Sequence, residues 1–184
     1  DNSQTFNISN IGTGVLTWNI GSTIYNEGTG WITGVSPSSG QCIDDTDTIT
    51  VTVDRDLIDY GLSTAVIPVS SNGGTADVEV SIRRKAPPDK PVNISPADGA
   101  INVSRTPVLT ASEYSDPVDD PMLVARWRIK KDGEIVWNSN NVSNSIEVTA
   151  GTILDYSTTY TWQVRYANSY GLESEWSDET SFTT

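Results

Sequence analysis

Two kinds of side chain in this sequence could do chemistry: aromatic rings placed to grip a ligand, and carboxylates placed to hold a cation. Tyr25, Trp137 and Trp176 lie in or beside expected loops and edge strands, where a ring face could cover the C–H face of a pyranose. Tyr170 shares that placement. Asp116, Asp119 and Asp120, within "SDPVDDP" at 115–121, could offer hard oxygen ligands to calcium from a loop between expected strands. "DDTD" at 44–47 is a second acidic run of the same type. Neither spacing matches a defined calcium loop, and acidic loop tips are ordinarily just solvated, so no cofactor is required.

Catalysis asks for more than this. A nucleophile with its base, a paired acid and base, or a metal with an open position is needed. The chain has no histidine, and its 24 acids fall into no catalytic pattern. The expectation is that these residues are not an enzyme.

The other tryptophans read as core. Trp31 stands in "GTGWITGVSPSSG", residues 28–40, one short strand before a Ser-Pro-Ser-Ser-Gly turn and beside Ile32 and Val35. Burying such a side chain is worth more than about 2 kcal/mol from apolar area alone. The same reading covers Trp18, Trp127 and Trp162. Trp176 could stack on Arg165, which points away from the core if Val164 and Tyr166 point in. Cys42 is the only cysteine, so an internal disulfide is excluded and a half-buried apolar role is expected.

These residues are positioned by strands. In "TFNIS", "VLTWNI", "TITVTV" and "ADVEVSI" apolar residues alternate with polar ones, pointing Phe6 and Ile8, Leu16, Trp18 and Ile20, Ile49, Val51 and Val53, and Val78, Val80 and Ile82 to one side. "IGTG", "SPSSG" and "NGG" supply the turns between. Further on, Leu109 and Ala111 share one face, and "LVARWRIKKDG" sets Leu123, Ala125, Trp127 and Ile129 inward against Val124, Arg126, Arg128 and Lys130 outward. A turn at Asp132 and Gly133 leads into "EIVWNSN". No helical period of useful length appears. The expected class is all-β, with two tandem antiparallel β-sandwiches.

The boundary between them is placed at "RRKAPPDKP", where charge and proline replace alternation. Residues 1–82 form the expected first domain, 83–90 a linker and 91–184 the second. A chain of 184 residues suits two small domains, each near the lower size at which one core is stable. It opens on "DNSQTFNISN", already strand-like, as expected of a piece of a longer chain.

Net charge is -13. Such a surface repels phosphate backbones and anionic membranes, so nucleic acid is not an expected partner. No run of about 18 apolar residues is present, so membrane insertion is not expected either.

Two resemblances sharpen this reading. "FNISNIGTGVLTWNI", "WITGVSPSSG" and "DTITVTVDRDLIDYGLSTAVIPVSSNGG", over about residues 4–82, resemble the BACON domain, a bacterial immunoglobulin-like module often found beside glycoside hydrolases and in surface proteins. The first strand of that pattern, upstream of Phe6, is missing here, which implies an open edge. "ILDYSTTYTWQVRYANSYG" and "ESEWSDETSFTT" resemble the fibronectin type III pattern over about residues 88–184. That resemblance makes Tyr160, six residues after Leu154, a tyrosine-corner residue with its hydroxyl on nearby backbone, followed inward by Trp162, Val164 and Tyr166 and anchored by Phe182.

Together these imply an immunoglobulin-like, non-catalytic extracellular or cell-surface module that spaces or presents the flanking domains of a larger bacterial or phage protein. The competing expectation is a carbohydrate-binding or protein-adhesion module whose partner is a glycan or a surface protein.

Overall fold

The structure, a computed structural model, describes residues 2–184. It divides into two compact units between Lys85 and Ala86. Among the described residues the one helical element is a single 3-10 turn, Arg55–Leu57, and no helix is long and apolar enough to cross a membrane.

The first unit holds β1 (Ser3–Ser9), β2 (Leu16–Ile20), β3 (Ile24–Tyr25), β4 (Ile32–Ser36), β5 (Ser39–Cys42), β6 (Thr46–Val53), β7 (Gly61–Ser71) and β8 (Gly74–Arg84). One sheet runs β1-β6-β4, and the other runs β3-β7-β2-β5 with β8 paired along the whole of β7. Every pairing is antiparallel. The two-residue Asn72-Gly73 turn closes the β7–β8 hairpin, and the Asn72 side chain ties it to β2 through Thr17 N and Val15 O.

The interior of this unit is divided. Around Trp31 gather Ile58, Ala65 and Ile82, and around Trp18 gather Cys42 and Ile49. Trp31 is fully buried, donates its indole N–H to Glu27 O at 3.1 Å and meets the Tyr25 ring edge-on at 5.5 Å. It fills a core. Trp18 donates to the Asp47 carboxylate at 2.8 Å, and Cys42 is wholly rather than half buried, its Sγ 3.2 Å from the same carboxylate. Burial, with the adjacent Asp47, pushes the Cys42 thiol pKa up, away from reactivity.

The second unit holds β9 (Asn93–Ser95), β10 (Val108–Ala111), β11 (Met122–Lys131), β12 (Glu134–Asn138), β13 (Val142–Ser143), β14 (Glu147–Thr149), β15 (Thr159–Asn168) and β16 (Thr180–Thr183). Sheet β14-β10-β9 faces sheet β12-β11-β15-β16, in which β13 also pairs with β11. One continuous core lies between them, with Leu109 and Ala111 from one sheet against Trp127, Ile129, Trp162, Val164, Tyr166 and Phe182 from the other. Trp127 and Trp162 stack at 6.0 Å. Tyr160 is buried, and its hydroxyl accepts from the Asp155 backbone N–H at 3.0 Å, as the tyrosine-corner resemblance implies.

Two β-bulges change what strict alternation predicts. Met122 pairs with Asn168 and Val124 with Ala167, so β11 spends one extra residue there, and that residue is Leu123. The extra residue leaves the ladder and reverses the facing of what precedes it. Leu123 is therefore 49% exposed while Val124 is buried, correcting the expected inward Leu123. Past Ile129 the surplus is on β12, since Ile129 pairs with Trp137 but Lys130 with Ile135.

Residues 83–90 also differ in detail from a strand-free linker. β8 continues through Arg83 and Arg84, because charge alone does not stop a ladder; the strand ends ahead of Pro87, where a donor is lost. Ala86 already packs in the second unit, buried, with its carbonyl accepting from Asn168 Nδ2 at 2.9 Å.

Candidate functional site

An array of charged and aromatic side chains lies on the outer face of the β12-β11-β15-β16 sheet. Register puts Arg126 opposite Arg165 and Arg128 opposite Gln163, all on the face away from Trp127 and Val164. Across them runs the irregular segment 173–179. Its placement comes from two serines: Tyr166 N–H donates to Ser174 Oγ at 3.0 Å and Val164 N–H to Ser177 Oγ at 2.9 Å. Their own amides return the bond, Ser174 N to Tyr166 O at 2.9 Å and Ser177 N to Val164 O at 2.8 Å. Side-chain oxygens thus satisfy β15 where β16 has not yet begun.

Held there, the segment sets its side chains among the arginines. Glu173 pairs with Arg126 and, at 2.6 Å, with Arg165. Arg128 forks onto Gln163 Oε1 at 3.0 and 2.6 Å. Trp176 lies with the Arg128 guanidinium 3.9 Å and the Arg165 guanidinium 4.7 Å from its ring centroid. Lys130 pairs with Glu179, whose carboxyl is thereby held below the usual range. Burial, with Arg126 and Arg128 nearby, lowers the Arg165 pKa.

The Arg165 stack expected from the sequence is present, but Arg128 comes closer. It was missed because its contact depends on where segment 173–179 crosses the sheet. The signal for that crossing was the Ser-x-x-Ser spacing at 174 and 177. Chemically the array is a set of internal ion pairs and cation–π contacts that pins a loop. Beside it, Arg126, Arg128, Ile135, Asn138, Asn140, Asn141 and Trp176 border an open hollow of about 360 Å³.

The aromatic candidates are divided between the two units. Tyr25 belongs to the first unit, half-buried against Trp31, its hydroxyl donating to Ile32 O at 3.3 Å. Trp137 and Trp176 belong to the second. Because of the β12 bulge, Trp137 shares the core-facing side with Ile129 and packs on that core, whereas Ile135 takes the outer side with Lys130. Tyr170 is 60% exposed.

The acidic loop is organised by its own hydrogen bonds. Asp116 Oδ1 accepts from Val118 N–H at 3.0 Å and Asp120 N–H at 3.3 Å, and Oδ2 accepts from the Tyr114 hydroxyl and Asn168 Nδ2, each at 3.1 Å. Burial opposes ionisation of Asp116, yet these donors outweigh it and hold the carboxyl below its usual range. The Tyr114 phenol is pushed well above its ordinary range, by burial first and then by Asp116. Asp120 is buried, and Asp119 is exposed with φ of 57°. Among the described residues no group of three histidine, cysteine, aspartate or glutamate side chains is arranged to hold a metal ion. Asp116, Asp119 and Asp120 border one open hollow, and both Asp116 oxygens accept from donors of the second unit. In the "DDTD" run, Asp47 is likewise taken by Trp18 and Cys42.

A family model described as "Rha78A-like, N-terminal immunoglobulin domain" matches residues 119–184. The chain is all-β, and each of its two units is built from antiparallel sheets. The solved structure of domains A168–A170 from titin is similar at a TM-score of 0.39 and 19% identity, covering 97% of this chain and 58% of that one. The chain thus spans less than two thirds of the length of that structure. No curated protein matches.

Proposed function

We propose that this chain is a non-catalytic spacer or presentation segment of a larger bacterial or phage protein at the cell surface or outside the cell, its partners being the flanking domains. The observation that carries this reading is that the aromatic rings best placed for a ligand are each engaged by their own unit. Tyr25 supports Trp31, Trp137 caps the second core, and Trp176 lies under Arg128 and Arg165. The resemblances to BACON and fibronectin type III modules support it, as does a family match whose description is of one N-terminal domain. Immunoglobulin-like sandwiches joined by a short proline-containing connection suit reach with limited bending.

The hollow beside Trp176 favours a second reading, glycan or protein binding, since asparagine amides next to an indole are suited to sugar hydroxyls. A glycan array probed with the chain and with its Trp176→Ala variant separates the two. A spacer gives no signal to lose. A signal abolished by Trp176→Ala, or hydrolytic turnover by the chain, overturns the first reading.

A further inference from the structure

The first unit leaves one long strand edge open. β8 pairs with β7 along its whole length, from Gly74 to Arg84, without a bulge, and among the described residues with no other strand. It contains no proline. Alongside it lies a groove of about 250 Å³ between β8 and β1, lined by Phe6, Val51, Val78, Val80 and Ile82 among others. A long, regular edge of this kind is a template for another strand.

The charges on that edge specify which strand. Asp77, Glu79, Ser81 and Arg83 share the exposed face, and Val78, Val80 and Ile82 the inner one. Acids therefore precede Ser81 and bases follow it. When two copies of β8 run antiparallel about a two-fold axis at Ser81, Glu79 of each comes opposite Arg83 of the other, and Val80 opposite Ile82. One step further out, Asp77 comes opposite Lys85. Sliding the register by two residues either way breaks one of the two charge matches. Residues directly opposite in an antiparallel pair share a face, so the like-facing sets meet.

We propose that β8 is a self-association edge, on which a second copy of this chain pairs antiparallel about Ser81. The partner is fixed by charge complementarity, since the acid-to-base order of β8 is met by the same strand reversed. The two half-sheets then join into one continuous sheet, and the apolar inner residues of each copy extend over the groove of the other. A contact of this size gives a weak dimer, so it is best read by trapping.

With Ser81→Cys, two thiols meet on the axis at the separation a disulfide needs. Cys42 is fully buried and stays out of the exchange. Under mild oxidation Ser81→Cys is expected to form a covalent dimer, while Thr75→Cys, exposed on the same strand but off the axis, stays monomeric. Glu79→Arg or Arg83→Glu placed in the Ser81→Cys background should each slow trapping by about tenfold, because both ion pairs become repulsive. Mixing the two variants should restore it, since each then faces its opposite. Equal trapping at positions 81 and 75 overturns the contact, and a mixture no faster than its components overturns the register.

Discussion

Replacing Trp31 by alanine tests whether the tryptophan beside "SPSSG" belongs to the fold or to a ligand. The ring is fully buried and its neighbours Ile58, Ala65 and Ile82 form a small cluster separate from that around Trp18. Few side chains are available to collapse into the space, and the Glu27 carbonyl loses its indole donor. A loss of about 3 to 5 kcal/mol follows, against a total of about 5 to 10 kcal/mol for a domain of this kind. At about 4 to 8 °C per kcal/mol, the first-unit transition should fall by at least about 12 °C. Melting of the full chain, with hydrogen exchange to assign each transition, reads this directly. The second unit should keep its transition. A first-unit transition moved by less than about 0.5 kcal/mol would refute the reasoning, since that is the response of a surface side chain.

Other outcomes follow from the same geometry. Gly40 pairs with Trp18, and a Cβ there would lie 2.5 Å from the indole and 2.7 Å from Asp47 Oδ2, so Gly40→Ala should destabilise the first unit by about 1 to 3 kcal/mol in denaturant titration. Ser177→Ala strands the buried Val164 N–H and should cost the second unit about 1 to 3 kcal/mol by the same measurement. The folded state holds the Asp116 proton less tightly than the unfolded chain, so its stabilisation is complete above about pH 4. It is lost as pH falls through the depressed folded value. Second-unit melting should therefore drop in acid, and Asp116→Asn should flatten that dependence. Tyr166, whose pKa is pushed up to about 12 by burial and then by Glu113, acts in the opposite sense. Its contribution is present below about pH 10 and lost as pH rises through the folded value, so melting in alkali should fall more steeply for the native chain than for Tyr166→Phe.

The sequence by itself determined the class, the burial of Trp18, Trp31, Trp127 and Trp162, and the inward faces of most strands. Period-two alternation is a local property of the backbone, and any sheet that covers one face must use it. Turn residues are equally local: Asp132 and Gly133 both take positive φ, as a two-residue hairpin turn demands. Only the tertiary structure decided where alternation breaks. The bulges that expose Leu123 and turn Trp137 inward are set by the ladders of β11 with β15 and β12, and no residue type within either strand announces them. The fate of the candidate site was decided in the same way. Whether Trp176 is open or covered depends on Arg128, 48 positions earlier in the chain, and the donors that meet Asp116 Oδ2 include Asn168, 52 positions later. Side-chain exposure is fixed by pairing between distant strands, and a single strand carries no record of its neighbours.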